Sequence, residues 1–262
     1  MTRLLGDMVT AVRLLTVLPI PGPDGLRPAR WFGFVGWIFA GVGVGAAWVA
    51  DLLGSGSIPW LERAGDGVST LGALLAAAVL VTLWAALTGL LHWDGLADCA
   101  DGIGVRGDAA RKLAVMRESG IGAFGTVAIV LVALLQVTAL AVLIETHMWW
   151  PIAAAPVLGR LSAASALVRF KPARADGLGA RYAGAESIVG HVLLTSALIP
   201  LVVWAPVPAH AVATGIGFGV ALLMPAPFVR MLGGSTGDVA GASVILTETV
   251  VLLGGALAGG LL

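Results

Sequence analysis

The chain has 262 residues, of which 58% are hydrophobic and 11% charged, with a formal net charge of zero and a mean hydropathy of +0.98. A soluble domain carries about 25% charged residues, so this composition excludes a water-facing globule. Zero net charge removes any global bias toward nucleic acid, and no nucleic-acid partner is expected. The single cysteine, Cys99, excludes an intrachain disulfide, and a lone thiol without partners at ligand spacing reads as a small apolar filler.

Residues 1–30 carry Asp7 and Arg13 inside their apolar stretch and then break at Pro19 to Pro23, which leaves no clean signal-peptide core. This segment is predicted to be an amphipathic helix lying on the membrane, followed by a hinge. Downstream, 31–50, 67–91, 119–144 and 211–229 contain no charge, and 187–209 contains one histidine. Crossing the hydrocarbon layer takes about 20 apolar residues. Seven spans are predicted, at 31–53, 69–91, 123–144, 150–168, 187–205, 211–229 and 239–261. The fold class is therefore an all-α polytopic membrane bundle, a single integral-membrane domain over 1–262. The fourth span is the weakest, because it holds Pro151, Pro156 and Arg160.

Basic residues sort to one side of this topology. Arg3, Arg13, Arg27 and Arg30 precede the first span, Arg106 to Arg117 separate the second from the third, and Arg169 to Arg181 separate the fourth from the fifth. Arg230 lies between the sixth and seventh, and the opposite side receives Arg63. Positive residues mark the cytoplasmic face, so the N-terminus is expected inside and the C-terminus outside. Residues 92–118 then form a cytoplasmic loop. Glycines in GVGVG (Gly41 to Gly45), GIGFG (Gly215 to Gly219) and GDVAG (Gly237 to Gly241) have small-xxx-small spacing and read as helix packing.

The stretch HWDGLADCADGIG concentrates three acids, Asp94, Asp98 and Asp101, after a long run without charge. Their spacing of four and then three places all three on one face of a helix continuing from the second span. A divalent cation relieves the mutual repulsion, and an all-oxygen set points to Mg²⁺ or Mn²⁺. Gly95 and Gly102 remove bulk beside the acids and suit a close ligand approach. His92 is a candidate for orienting a ligand or accepting a proton, with packing as the alternative. Arg106, Arg111, Lys112 and Arg117 follow, then the glycine-rich ESGIGAFG (Glu118 to Gly125). Acids, cations and a bare helix start together suit a phosphate-rich ligand.

Arg160 and Glu248 lie inside apolar spans, where ionisable groups are costly. Nine residues separate Arg160 from Arg169 and ten separate Glu248 from Asp238. At about 1.5 Å per residue the two sit at equal depth, and they are expected to pair and to fix the fourth span against the seventh.

HWDGLADCADGIG, RKLAVMRESGIGAFG and GGSTGDVAGASVILTETVVLL (Gly233 to Leu253), with LLTVLPIP and ARADGLG, resemble the cobalamin synthase family of adenosylcobinamide-GDP ribazoletransferases along nearly the whole chain. The resemblance implies a cell inner-membrane enzyme with its active site toward the cytoplasm. Its substrates would be adenosylcobinamide-GDP and α-ribazole or α-ribazole 5′-phosphate, with Mg²⁺ as cofactor and GMP released. It implies a metal held by Asp94, Asp98 and Asp101, joined by Asp238, with one acid taking the hydroxyl proton. Substrate contacts would come from His92, Arg111, Arg117, Arg160 and Arg181. The bilayer is a partner, and a homo-oligomer is a possible assembly.

Two rivals differ in class. A CDP-alcohol phosphatidyltransferase motif also opens with Asp-Gly but continues through Ala-Arg, whereas Ala97 here is followed by Asp98. A cation transporter favours midplane acids on broken helices, a description that suits Glu248 but not the acid cluster at one edge.

Overall fold

A computed structural model describes residues 2–25, 27–54, 66–175, 177, 180 and 208–259. Its helices are α1 (Thr2–Leu15), α2 (Phe32–Gly54), α3 (Asp66–Leu87), α4 (Leu91–Gly104), α5 (Ala109–Val115), α6 (Ala123–Glu145), α7 (Trp149–Arg169), α8 (Pro208–Leu223), α9 (Ala226–Leu232) and α10 (Gly237–Gly259). Six helical stretches among the described residues are long and apolar enough to cross a membrane: Pro28–Ala50, Thr70–Leu87, Ala123–Glu145, Trp149–Arg169, Val212–Leu232 and Gly237–Ala258. They match six of the seven expected spans. The fifth, 187–205, lies outside the described residues, as does Arg63.

The weak fourth span is the centre of the bundle. Within α7, 89% of the span is buried, against 33% for α6. Because α7 meets other helices rather than lipid, it tolerates two prolines and an arginine. The α2 and α10 helices flank it antiparallel: Gly36 and Gly43 of α2 meet Val157 and Ile152, while Gly159 and Pro151 of α7 meet Glu248 and Gly255. By contrast α8 runs parallel to α7, with Trp150 donating to Thr214 at one end and Arg169 to the Leu222 carbonyl at the other. In each of GVGVG and GIGFG it is the middle glycine that packs. A Cβ on Gly43 would stand 2.8 Å from Trp84 and one on Gly217 2.7 Å from Leu158, whereas Gly41, Gly45, Gly215 and Gly219 meet nothing within 4 Å. The outer face of α6 carries the exposed side chains Phe124, Val127, Leu131 and Leu134, as a lipid-facing surface should.

Some polar contacts between helices are fully buried. The Trp84 indole donates to the Phe39 carbonyl at 3.0 Å, tying α3 to α2. Gln136 of α6 donates to Thr249 of α10 at 3.0 Å. At the N-terminus, Asp7 of α1 is buried and accepts from the Arg27 N–H at 2.9 Å, while Arg13 holds Asp24 and the carbonyls of Ile20 and Gly22. The polar face of α1 thus grips its own following loop, and Leu4 and Leu5 are left exposed.

The stretch 92–118, expected as a loop, is mostly the two helices α4 and α5. Asp108 caps α5 through the Arg111 N–H at 2.9 Å. Lys112 donates to the carbonyls of Gly102 and Val105, at 3.2 and 2.7 Å, and so closes the C-terminal end of α4.

Candidate active site

The acid cluster sits on a helix of its own. After Leu87 the chain turns through Gly89 (φ 59°) and Leu90 (φ 64°), and α4 starts at Leu91. Two successive left-handed residues end α3, so the acids do not continue the second span as expected. Instead α4 packs against α10 and α6. A Cβ on Gly95 would lie 2.7 Å from the Asp238 carbonyl oxygen, and one on Gly241 3.3 Å from the Leu91 carbonyl oxygen. The bare backbone at Gly95 is therefore taken up by α10, and that at Gly102 by Met116. This corrects the expectation that these glycines open room for a ligand. What the close crossing achieves is to bring Asp238 beside Asp94 and Asp98.

Asp98 records the result. Its carboxyl is pushed up to about 7, first by partial burial and then by the charges of Asp238, Asp94 and Asp101, with Arg174 acting in the opposite sense. Arg174 was not singled out from the sequence as a site residue. It donates to Asp238 at 2.9 Å. The chain leaving α7 delivers it: the Ala173 N–H bonds the Ser235 carbonyl and the Ser235 N–H bonds the Lys171 carbonyl, each at 2.8 Å. A Cβ on Gly234 would come within 2.5 Å of the Ala173 nitrogen, so the second glycine of GGST lets these two segments lie side by side. The signal present in the sequence was RADG, an arginine and an acid in a short loop between spans.

Asp101 faces the start of α6. Its two oxygens accept from the N–H groups of Gly122 at 2.7 Å and Gly125 at 2.8 Å. These are orphan donors of the first turn of α6, and a carboxylate is the favoured partner for them.

His92 is buried, and neither ring nitrogen has a hydrogen-bond partner among the described residues. Burial, and then the charge of Arg160, hold the imidazole neutral by pushing its pKa well down. Its neighbours enclose a cavity of about 100 Å³, to which α4 contributes His92 and Asp94 and α10 contributes Asp238. Deeper in the bundle, Arg160 and Glu248 form the expected ion pair, both fully enclosed. The guanidinium also stacks 3.8 Å over the Phe39 ring. Arg160 donates from Nη1 to Glu248, its Nε has no partner among the described residues, and it acts on His92 through its charge. Arg111 of α5 and Arg117, just beyond it, are exposed, and Arg181 lies outside the described residues. Cys99 is buried, in line with a filler.

Among the described residues, no three His, Cys, Asp or Glu side chains stand close enough together to hold a metal ion as placed. The chemistry of the donor set nevertheless fits a hard cation. The acids are all oxygen donors, and the Asp98 pKa is raised by partial burial and then by the acids around it, with Arg174 as the opposing charge.

A model of the cobalamin-5-phosphate synthase family matches residues 7–256. An adenosylcobinamide-GDP ribazoletransferase of Thermosynechococcus vestitus is 34% identical over 257 residues, covering 97% of each chain. Relatives of the same name from Azorhizobium caulinodans and Frankia casuarinae are 33% and 36% identical, covering 97% and 93% of this chain and 96% and 92% of theirs. No solved structure matches. A family match over almost the whole length, with the acid helix and the GGST segment meeting at one end of the bundle, makes this chain an enzyme of the cobalamin-5-phosphate synthase family.

Proposed function

We propose that the protein is an adenosylcobinamide-GDP ribazoletransferase, joining adenosylcobinamide-GDP to α-ribazole or α-ribazole 5′-phosphate and releasing GMP. The observation that carries this reading is the gathering of Asp94, Asp98, Asp101 and Asp238 at one end of the bundle, with Asp94 and Asp238 lining a common cavity. Neither a midplane ion path nor a CDP-alcohol motif accounts for that arrangement.

In the proposed reaction a ribose hydroxyl oxygen forms a bond to the phosphorus on the cobinamide side. The bond from that phosphorus to the bridging oxygen breaks, and GMP leaves with the electron pair. The acid set would hold Mg²⁺, with Asp94 and Asp238 foremost because both face the cavity, and Asp98 and Asp101 completing the negative field. When bound, the ion neutralises phosphate charge and polarises the attacked phosphorus. Asp98, lying among the other acids, would take the hydroxyl proton. Arg174 compensates Asp238 before substrate arrives, and Arg111, Arg117 and Arg181 would contact phosphate oxygens. The site would face the cytoplasm from the inner membrane, where water-soluble phosphate compounds can reach it.

The test uses protein in lipid discs with adenosylcobinamide-GDP and α-ribazole 5′-phosphate, following GMP release with and without Mg²⁺. Metal-dependent release with a cobalamin product is expected. A folded protein that releases no GMP would overturn the proposal, and ion flux from such a protein would favour the transporter.

A further inference from the structure

The cavity beneath the acids has a composition that a metal–phosphate site does not require. Apart from Asp94 and Asp238, its wall is apolar and backbone, with Leu14 and Leu15 of α1, Phe32 of α2 and Ala163 and Leu167 of α7. One further polar side chain lines it, His92, which is 3% exposed and has no partner on either nitrogen among the described residues. A buried imidazole without hydrogen bonds forgoes a stabilising contact at each nitrogen. Helices α1, α2, α4, α7 and α10 enclose the space, and the described residues give it no filling side chain.

We infer that this cavity receives the base of the acceptor, an apolar heteroaromatic ring with a single ring-nitrogen acceptor, and that His92 donates a hydrogen bond to that nitrogen. The inference rests on the proposed transferase reading and adds a specificity subsite to it. Asp94 and Asp238 could accept from the N–H edge of a guanine ring, but its O6 and N7 also call for donors, and His92 is the single donor side chain in the lining. A ring bearing one acceptor and otherwise apolar matches one imidazole in an apolar wall, and the base of a ribazole belongs to that class. With the base seated there, the attached ribose emerges beside Asp94 and Asp238, where the hydroxyl is needed. The match also gives a role to a buried, unpartnered histidine on the cavity wall: a site that hydrogen-bonds one group rejects analogues that lack it.

The experiment measures binding of α-ribazole, and of its analogue with the free ring nitrogen replaced by CH, to protein in lipid discs. Binding of adenosylcobinamide-GDP is measured in parallel. Wild type is expected to prefer α-ribazole over the analogue by about 10-fold or more, and His92→Phe to lose that preference. Ala163→Val, which fills the cavity from α7 without touching a polar group, should weaken α-ribazole by about 10-fold. In both variants adenosylcobinamide-GDP should bind as in wild type, which also reports a folded protein. Equal preference in wild type and His92→Phe, or α-ribazole binding left intact by Ala163→Val, would overturn the subsite. A wild type that binds α-ribazole with this preference yet releases no GMP would instead sink the transferase reading alone.

Discussion

Asp101 bonds the backbone of Gly122 at 2.7 Å, so one acid of the cluster belongs structurally to the start of α6. Its removal should differ from removal of the others. Asp101→Ala is expected to cost about 1–3 kcal/mol of stability, from two charge-assisted cap bonds. Asp94→Asn should instead leave the unfolding temperature near wild type and lose turnover. Thermal unfolding followed by tryptophan fluorescence separates the two, and equal melting of both variants would contradict the division.

The raised pKa of Asp98 makes the metal-free protein sensitive to pH. Its proton is held more tightly in the folded state than in the unfolded chain. The associated stability is complete below the ordinary carboxylate value of 3.8 and is lost as pH rises through about 7. With chelator present, wild type should therefore lose stability between about pH 4 and pH 8 relative to Asp98→Asn. Added Mg²⁺ at the alkaline end of that range should restore it in wild type and do less in the variant. Parallel melting curves at every pH would count against the clustered charges.

The Arg160–Glu248 pair predicts strong coupling. Losing either partner alone, as in Arg160→Met or Glu248→Gln, leaves a buried polar or charged group without compensation and should cost about 3–5 kcal/mol. The charge-swapped double variant Arg160→Glu with Glu248→Arg should recover part of the loss that each reversal causes. No recovery in folded yield would show that packing, not the pair, holds α7 to α10.

Close approach at Gly95 is the fourth prediction. Gly95→Ala pushes α10 away from α4 and should cost about 1–3 kcal/mol and reduce turnover, since it displaces Asp238. Gly45→Ala, at a position that meets nothing within 4 Å, should change neither. An active Gly95→Ala enzyme would mean that the crossing does not set the site.

Much of this was legible in the residues, for physical reasons that also explain what was not. Charge-free blocks mark spans because lipid cannot solvate charge, and Arg160 and Glu248 show their depth by counting from Arg169 and Asp238, the charged ends of their helices. Hydropathy is blind to a turn made of apolar residues, so the break at Gly89 and Leu90 passed as one continuous helix. It also undervalues a span surrounded by protein, as α7 is. The Arg174–Asp238 contact joins residues 64 apart, and no local spacing encodes it.

The buried ion pair has a consequence for how the protein is made. Glu248 lies 88 residues after Arg160, and a ribosome adding about 5–20 residues per second needs roughly 4–18 s to cover that distance. During that interval the guanidinium must wait in or near the membrane without its carboxylate. Phe39, already synthesised on α2, offers it a ring face, worth about 2 kcal/mol when desolvated. The bundle is thus sealed by its last described helix, and a chain interrupted before Glu248 carries a buried charge without its carboxylate.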